Sequence, residues 1–130
     1  MRTVTAGIIL RGDQVLICRR RDDQPLPLQW EFPGGKVEAG EEPAACLRRE
    51  LEEELGIEAE IGAEVCRLSY QYPGMDPVEL LFFKVTSYEG EPQNRVFSEI
   101  RWADRASLPG FDFLAADRAM VREIATGGVV

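Results

Sequence analysis

The chain has 130 residues, 45% of them hydrophobic and 29% charged, which suits one compact domain with a real core rather than a disordered segment. Fifteen basic against 23 acidic residues give a net charge of -8, which excludes a protein that coats a nucleic-acid polymer, since that requires clustered positive charge. Histidine is absent altogether, so Ser-His-Asp triads, Cys-His dyads and histidine zinc or acid–base chemistry are excluded as well.

From the N-terminus, Met-Arg-Thr-Val-Thr-Ala lacks the long apolar core of a signal peptide. The longest purely apolar runs, at 7–10 and 80–83, are too short to span a membrane. Together they predict a cytoplasmic protein with no membrane partner. Residues 4–10 and 14–19 are β-prone and flank Arg11-Gly12-Asp13, which reads as a hairpin turn. A polar, Pro-broken loop from Arg19 to Pro27 follows, and then the short extended piece Trp30-Glu31-Phe32-Pro33-Gly34-Gly35-Lys36-Val37.

Residues 43–55 carry the strongest helical signal. Pro43 suits the first helical position, Gly56 can supply a left-handed terminal residue, and Ala44, Leu47, Leu51 and Leu55 recur at helical spacing. Residues 57–70 and 78–88 read as strands around the turn Pro73-Gly74-Met75-Asp76-Pro77, and 99–102 as one more strand. Residues 116–125 close the chain as an amphipathic helix. Strands with two such helices imply one α/β domain over 1–130, a mixed sheet covered on both sides. Cys18, Cys46 and Cys66 match neither a C-x-x-C pair nor a zinc knuckle, and read as reduced packing residues.

The chemistry is concentrated in Arg49-Glu50-Leu51-Glu52-Glu53-Glu54. At roughly 100° per residue, Glu50, Glu53 and Glu54 share about a 100° arc beside the apolar stripe, and Glu52 points away. Like charges at these spacings weaken an isolated helix by a few tenths of a kcal/mol per pair. A solvated acidic face accounts for most such runs. Hard cations change the balance, because Mg²⁺ takes carboxylate oxygens and completes its shell with water and phosphate.

The wider spacing is Gly35, five residues, Glu41, seven residues, Arg49-Glu50-Leu51, one residue, then Glu53-Glu54-Leu55-Gly56-Ile57. Every specified position of the Nudix box is matched, and the chain is identified on it as a member of the Nudix hydrolase superfamily. Trp30-Glu31-Phe32-Pro33-Gly34-Gly35-Lys36 and Phe113-Leu114-Ala115-Ala116-Asp117 further resemble MutT-type enzymes and the related CTP pyrophosphohydrolases. The resemblance implies an α/β/α sandwich around a mixed sheet. It implies Mg²⁺-dependent hydrolysis of nucleoside triphosphates to the monophosphate and pyrophosphate, with Mn²⁺ as the alternative ion. Nucleotide-pool cleansing or pyrimidine nucleotide turnover would be the use.

By resemblance, Glu50, Glu53, Glu54 and the carbonyl of Gly35 hold metal, and Arg49 orients the glutamates. Glu41 supports them, as a ligand in some states or at the helix N-terminus. Lys36 and Arg20 are the phosphate contacts, with a solvated loop arginine as the other reading of Arg20. Glu99 is the expected metal ligand and general base. Glu89 and Glu91 compete for that role, and a helix glutamate remains open. Asp117, with Tyr72, Phe32 and Trp30, is expected at the nucleobase, although Asp117 could instead cap the last helix and the aromatics could be core. Aspartate stands at 117 where MutT-type sequences place asparagine, which argues against strict 8-oxo-dGTP specificity. The alternatives are an ADP-ribose or dinucleoside polyphosphate hydrolase and a catalytically silent nucleotide-binding regulator. The SQPWPFP array of NADH pyrophosphatases is absent, and the intact box argues against a silent regulator. Monomer and homodimer are both compatible with the sequence.

Overall fold

A computed structural model describes residues 1–128. Two four-stranded sheets form its centre. The first is mixed, in the order β5-β1-β7-β6, built from β1 (Arg2–Ile8), β5 (Gly34–Lys36), β6 (Glu58–Tyr70) and β7 (Val78–Glu89). Within it β1 runs parallel to β7, and the other pairings are antiparallel. In the second, β3 (Gln14–Arg19) is central: β8 (Glu99–Asp104) pairs along one edge, and β2 (Leu10–Arg11) and β4 (Trp30–Glu31) share the other.

The expected hairpin turn at 11–13 is present, with Leu10 and Arg11 antiparallel to β3 and the Leu16 N–H donating to Ile9 O at 3.0 Å. Its first strand is shorter than expected, because Arg2–Ile8 joins the other sheet beside β7. The apolar run crosses from one sheet to the other because both of its faces are buried. Ile8 packs with Val15, Ile17, Leu80 and Phe82, and Ile9 packs with Leu16, Leu81, Phe83 and Val85. Successive strand residues point to opposite faces, so sheets covered on both sides need such continuous apolar stretches.

Helix α1 (Pro43–Leu55) covers one face with Cys46, Leu47, Leu51 and Leu55. Ala44, expected in that stripe, is only partly buried, and Cys46 takes the deeper place. Gly56 ends the helix at φ 69°, as its position in the sequence predicts. The last carbonyls of α1 are bound by the segment after β7: Gln93 N–H donates to Leu55 O at 2.9 Å, and Arg95 Nη1 to Glu52 O at 3.0 Å. The other face is covered by α2 (Arg118–Ala125), which starts later than expected because 115–117 form a 3₁₀ turn. All three cysteines are free, and no helix among the described residues is long and apolar enough to cross a membrane.

Candidate active site

β5 and α1 bring the acidic box together. Glu50, Glu53 and Glu54 line a cleft of about 370 Å³ with Gly34, Gly35, Val4, Thr5, Arg20, Arg21, Gln24, Glu31, Val96 and Phe97. A Cβ on Gly35 would lie 2.7 Å from both carboxylate oxygens of Glu50, so a side chain there would push that carboxylate out of its present place. Gly34, at φ 156°, leaves no room either, because a side chain there would run into the Thr5 carbonyl. Its N–H donates to Glu54 Oε1 at 3.2 Å.

Arg49 is the hub of this arrangement. Its Nε and Nη2 donate to the two oxygens of Glu41 at 2.8 and 3.0 Å, a bidentate pair. Its Nη1 reaches Glu50 Oε1 at 3.0 Å and Glu53 Oε2 at 3.4 Å. These bonds from Arg49, with the Glu38 N–H, draw the Glu41 carboxyl down to about 2. Glu41 thus acts as the second anchor of Arg49. Burial pushes Glu54 the other way, up to about 9, with the nearby Glu50 and Glu31 carboxylates adding to it. Glu50 is also pushed up by burial, against the pull of Arg49. Glu53 is the open member, its side chain 58% exposed against 17% for Glu50.

Such a set fits a hard divalent cation. The donors are all oxygens, and the glycine cradle holds a backbone strand against them. Among the described residues no three acidic or thiol side chains converge closely enough to cage an ion alone. Carbonyl, water and phosphate oxygens are left to complete a shell.

Alongside lies a second cavity of about 160 Å³, lined by Arg2, Val4, Arg20, Leu26, Glu31, Tyr72, Met75, Asp76, Val78, Leu80, Leu114, Ala116 and Asp117. Asp117 is 4% exposed, and burial raises its carboxyl well above the usual range. The Glu31 carboxylate raises it further, while the Phe32 N–H and Arg20 pull it down. Its side chain makes no capping bond to α2, so the helix-cap reading is set aside. The Tyr72 hydroxyl accepts from the Ala116 N–H at 3.0 Å, fixing that ring on the same wall.

Four expected site residues are placed elsewhere. Trp30 packs edge-on against Phe111, with centroids 5.3 Å apart, and Phe32 packs against Phe82 and Phe113. Both rings are core because burial against these aromatics removes them from water, with the Arg101 guanidinium 5.5 Å from the centre of the Trp30 ring. Phe32 serves the cavity only through its backbone N–H to Asp117. Lys36 is exposed on edge strand β5 and is not part of the cleft wall. Glu99 accepts from Arg101 at 2.7 Å, and the cleft wall near it is Val96 and Phe97. The sequence reading missed Glu31, which lines both cavities. A signal was available: in an extended Trp30-Glu31-Phe32, two apolar rings facing the core send the middle carboxylate to the opposite side.

The NUDIX domain model matches residues 1–124. The chain belongs to the Nudix family. It is similar to an 8-oxo-dGTP diphosphatase of Haemophilus influenzae, 37% identical over 93% of this chain and 89% of that protein. It is also similar to the CTP pyrophosphohydrolase of Escherichia coli, 32% identical over 90% of this chain and 86% of the other. Among solved structures, the Escherichia coli ORF135 protein superposes with a TM-score of 0.84 at 31% identity, covering 94% and 86% of the two chains. A MutT structure described for Aliivibrio salmonicida and Vibrio cholerae gives 0.79 at 32% identity, covering 97% and 98%. The mixed α/β architecture is thus the Nudix fold.

Proposed function

We propose that this Nudix protein hydrolyses nucleoside triphosphates to the monophosphate and pyrophosphate, with Mg²⁺ or Mn²⁺ held by Glu50, Glu53, Glu54 and the Gly35 carbonyl. The observation that carries this reading is the adjacency of two unlike cavities: an acidic cleft and a smaller hollow with one buried carboxylate, sharing Arg20 and Glu31. A bound divalent ion would neutralise phosphate oxygens and polarise phosphorus toward water. Water would attack phosphorus, the P–O bond of the bridge between the monophosphate and the pyrophosphate would break, and a carboxylate would take the proton of water.

We assign that proton to a glutamate of α1 rather than to Glu99. Glu53 and Glu54 line the cleft, whereas Glu99 is engaged by Arg101. Arg49 fixes the orientation of Glu50 and Glu53, and Arg20 meets phosphate. Asp117 reads the base, accepting from amino groups when ionised and donating when protonated. The relatives named for 8-oxo-dGTP and for CTP make both nucleotides the first to test. Pyrophosphate release should be measured with Mg²⁺ across CTP, dCTP, dATP, dGTP, 8-oxo-dGTP, ADP-ribose and a dinucleoside polyphosphate. At least one triphosphate should give monophosphate and pyrophosphate well above the rest. Exclusive cleavage of ADP-ribose or the dinucleotide, or binding without turnover, would refute the reading.

A further inference from the structure

The two cavities share a wall made of Val4 and one ion pair. Arg20 and Glu31 line both of them. Arg20 Nη1 donates to the two Glu31 oxygens at 3.2 and 3.3 Å, and Nε donates to the Pro25 carbonyl at 2.9 Å. The two side chains are only 18% and 19% exposed, so each charge depends on the other for compensation. Through Pro25 the same guanidinium holds the segment between β3 and β4. There Leu26 and Leu28 have φ 54° and 60°, left-handed backbone that leucine keeps only where its surroundings impose it. This segment faces both ways: Leu26 lines the nucleoside cavity, while Arg21 and Gln24 line the cleft. With Nε and Nη1 engaged, Nη2 is the nitrogen of Arg20 left for a substrate.

Resting on the nucleotide reading above, we infer that Glu31 is a positioning residue that couples the nucleoside and phosphate subsites by fixing Arg20 and, through it, the segment from Arg21 to Leu26. Glu31 acts through Arg20 and not on the reacting phosphorus. Asp117 and Glu53 are one-sided by comparison, since each lines a single cavity. Glu31→Gln keeps the shape of the side chain but removes the charge that confines the guanidinium. Both subsites should then loosen together, in the manner of outer residues that orient a site.

The test uses two probes that share no chemical group. One is the free nucleoside, cytidine or deoxyguanosine, matched to the better triphosphate. The other is inorganic pyrophosphate with Mg²⁺. In Glu31→Gln both dissociation constants should rise about tenfold, with KM of the triphosphate rising more than kcat falls. Arg20→Lys should weaken both probes as well, and the double variant should be no worse than Arg20→Lys alone, because one chain of contacts has been cut twice. A shift in one probe only, no shift in either, or additive losses in the double variant would overturn the coupling. Should Glu31→Gln not fold, Arg20→Lys alone decides, since weakening of pyrophosphate without the nucleoside also overturns it. Neither probe is turned over, so this result stands apart from the wild-type pyrophosphate assay that tests the function itself.

Discussion

The cleft and the nucleoside cavity both bury carboxylates, and they compensate for it in different ways. In the cleft three glutamates crowd one helix face, and Arg49 answers them with hydrogen bonds to Glu41, Glu50 and Glu53. What remains is Glu54, pushed up to about 9, a group that a divalent cation would ionise and hold. In the cavity Asp117 has a backbone N–H from Phe32 and, among the described residues, no ion pair, so burial favours its neutral form against the pull of Arg20. On the function proposed above, the same functional group would anchor metal where cationic charge is expected, and would read a base by hydrogen bonds where it is not.

The largest effect should come from the cleft. Glu53→Gln removes an anionic ligand without disturbing the core, since Glu53 is exposed. Its kcat at saturating Mg²⁺ should fall by about a hundredfold or more while circular dichroism stays unchanged. Near-normal turnover would show that the acidic arc is only a solvated face. Arg49→Lys should come next. A point charge cannot span Glu41, Glu50 and Glu53 together, so Mn²⁺ affinity read by electron paramagnetic resonance should drop about ten- to a hundredfold. Unchanged affinity would make Arg49 a helix ornament.

The cavity should respond in specificity instead. Asp117→Asn exchanges a carboxyl for an amide that both donates and accepts, and kcat/KM ratios among CTP, dGTP and 8-oxo-dGTP should shift by about ten- to a hundredfold. A uniform change across substrates would remove Asp117 from base reading. The smallest effect is on stability with pH. The carboxyl of Asp117 is raised above its ordinary 3.8 in the folded protein. Its contribution is therefore fully present below that value and lost as pH rises toward the folded pKa, because the folded state keeps a proton that the unfolded chain has released. Asp117→Asn abolishes this loss, so its melting temperature relative to wild type should climb as pH rises above the ordinary carboxyl value of 3.8. A parallel pair of pH profiles would contradict the buried, neutral carboxyl.

Much of the architecture was legible because it rests on local rules. Helix α1 spans Pro43–Leu55 as its proline, glycine and apolar spacing require, and the turn at 73–77 separates two strands as read. The box placed Glu50, Glu53, Glu54 and Gly35 in one cleft for the same reason, since helical periodicity and a glycine strand are written in adjacent residues. The hairpin turn at 11–13 was legible, but the extent of its first strand was not: residues 4–10 are apolar almost throughout, and alternation then carries no information about which sheet receives them.

Chain-distant contacts were settled only by the fold. Trp30 and Phe32 look equally suited to stacking on a base or filling a core, and the choice depends on Phe82, Phe111 and Phe113, some 50 to 80 residues further along. Glu99 looked like a base because it precedes a strand; in the fold it accepts from Arg101 two residues away on the same face of β8, while Val96 and Phe97 form the nearby cleft wall. Asp117 could be read as a cap, as a reader or as both, and the fold shows it buried with no capping bond to α2. The sequence by itself determined the helix, its acidic arc and the family, because those depend on spacing along one element. Which carboxylates share a cavity, and which are left without a cation, was decided by tertiary packing, because the energy of a charge depends on what surrounds it in space.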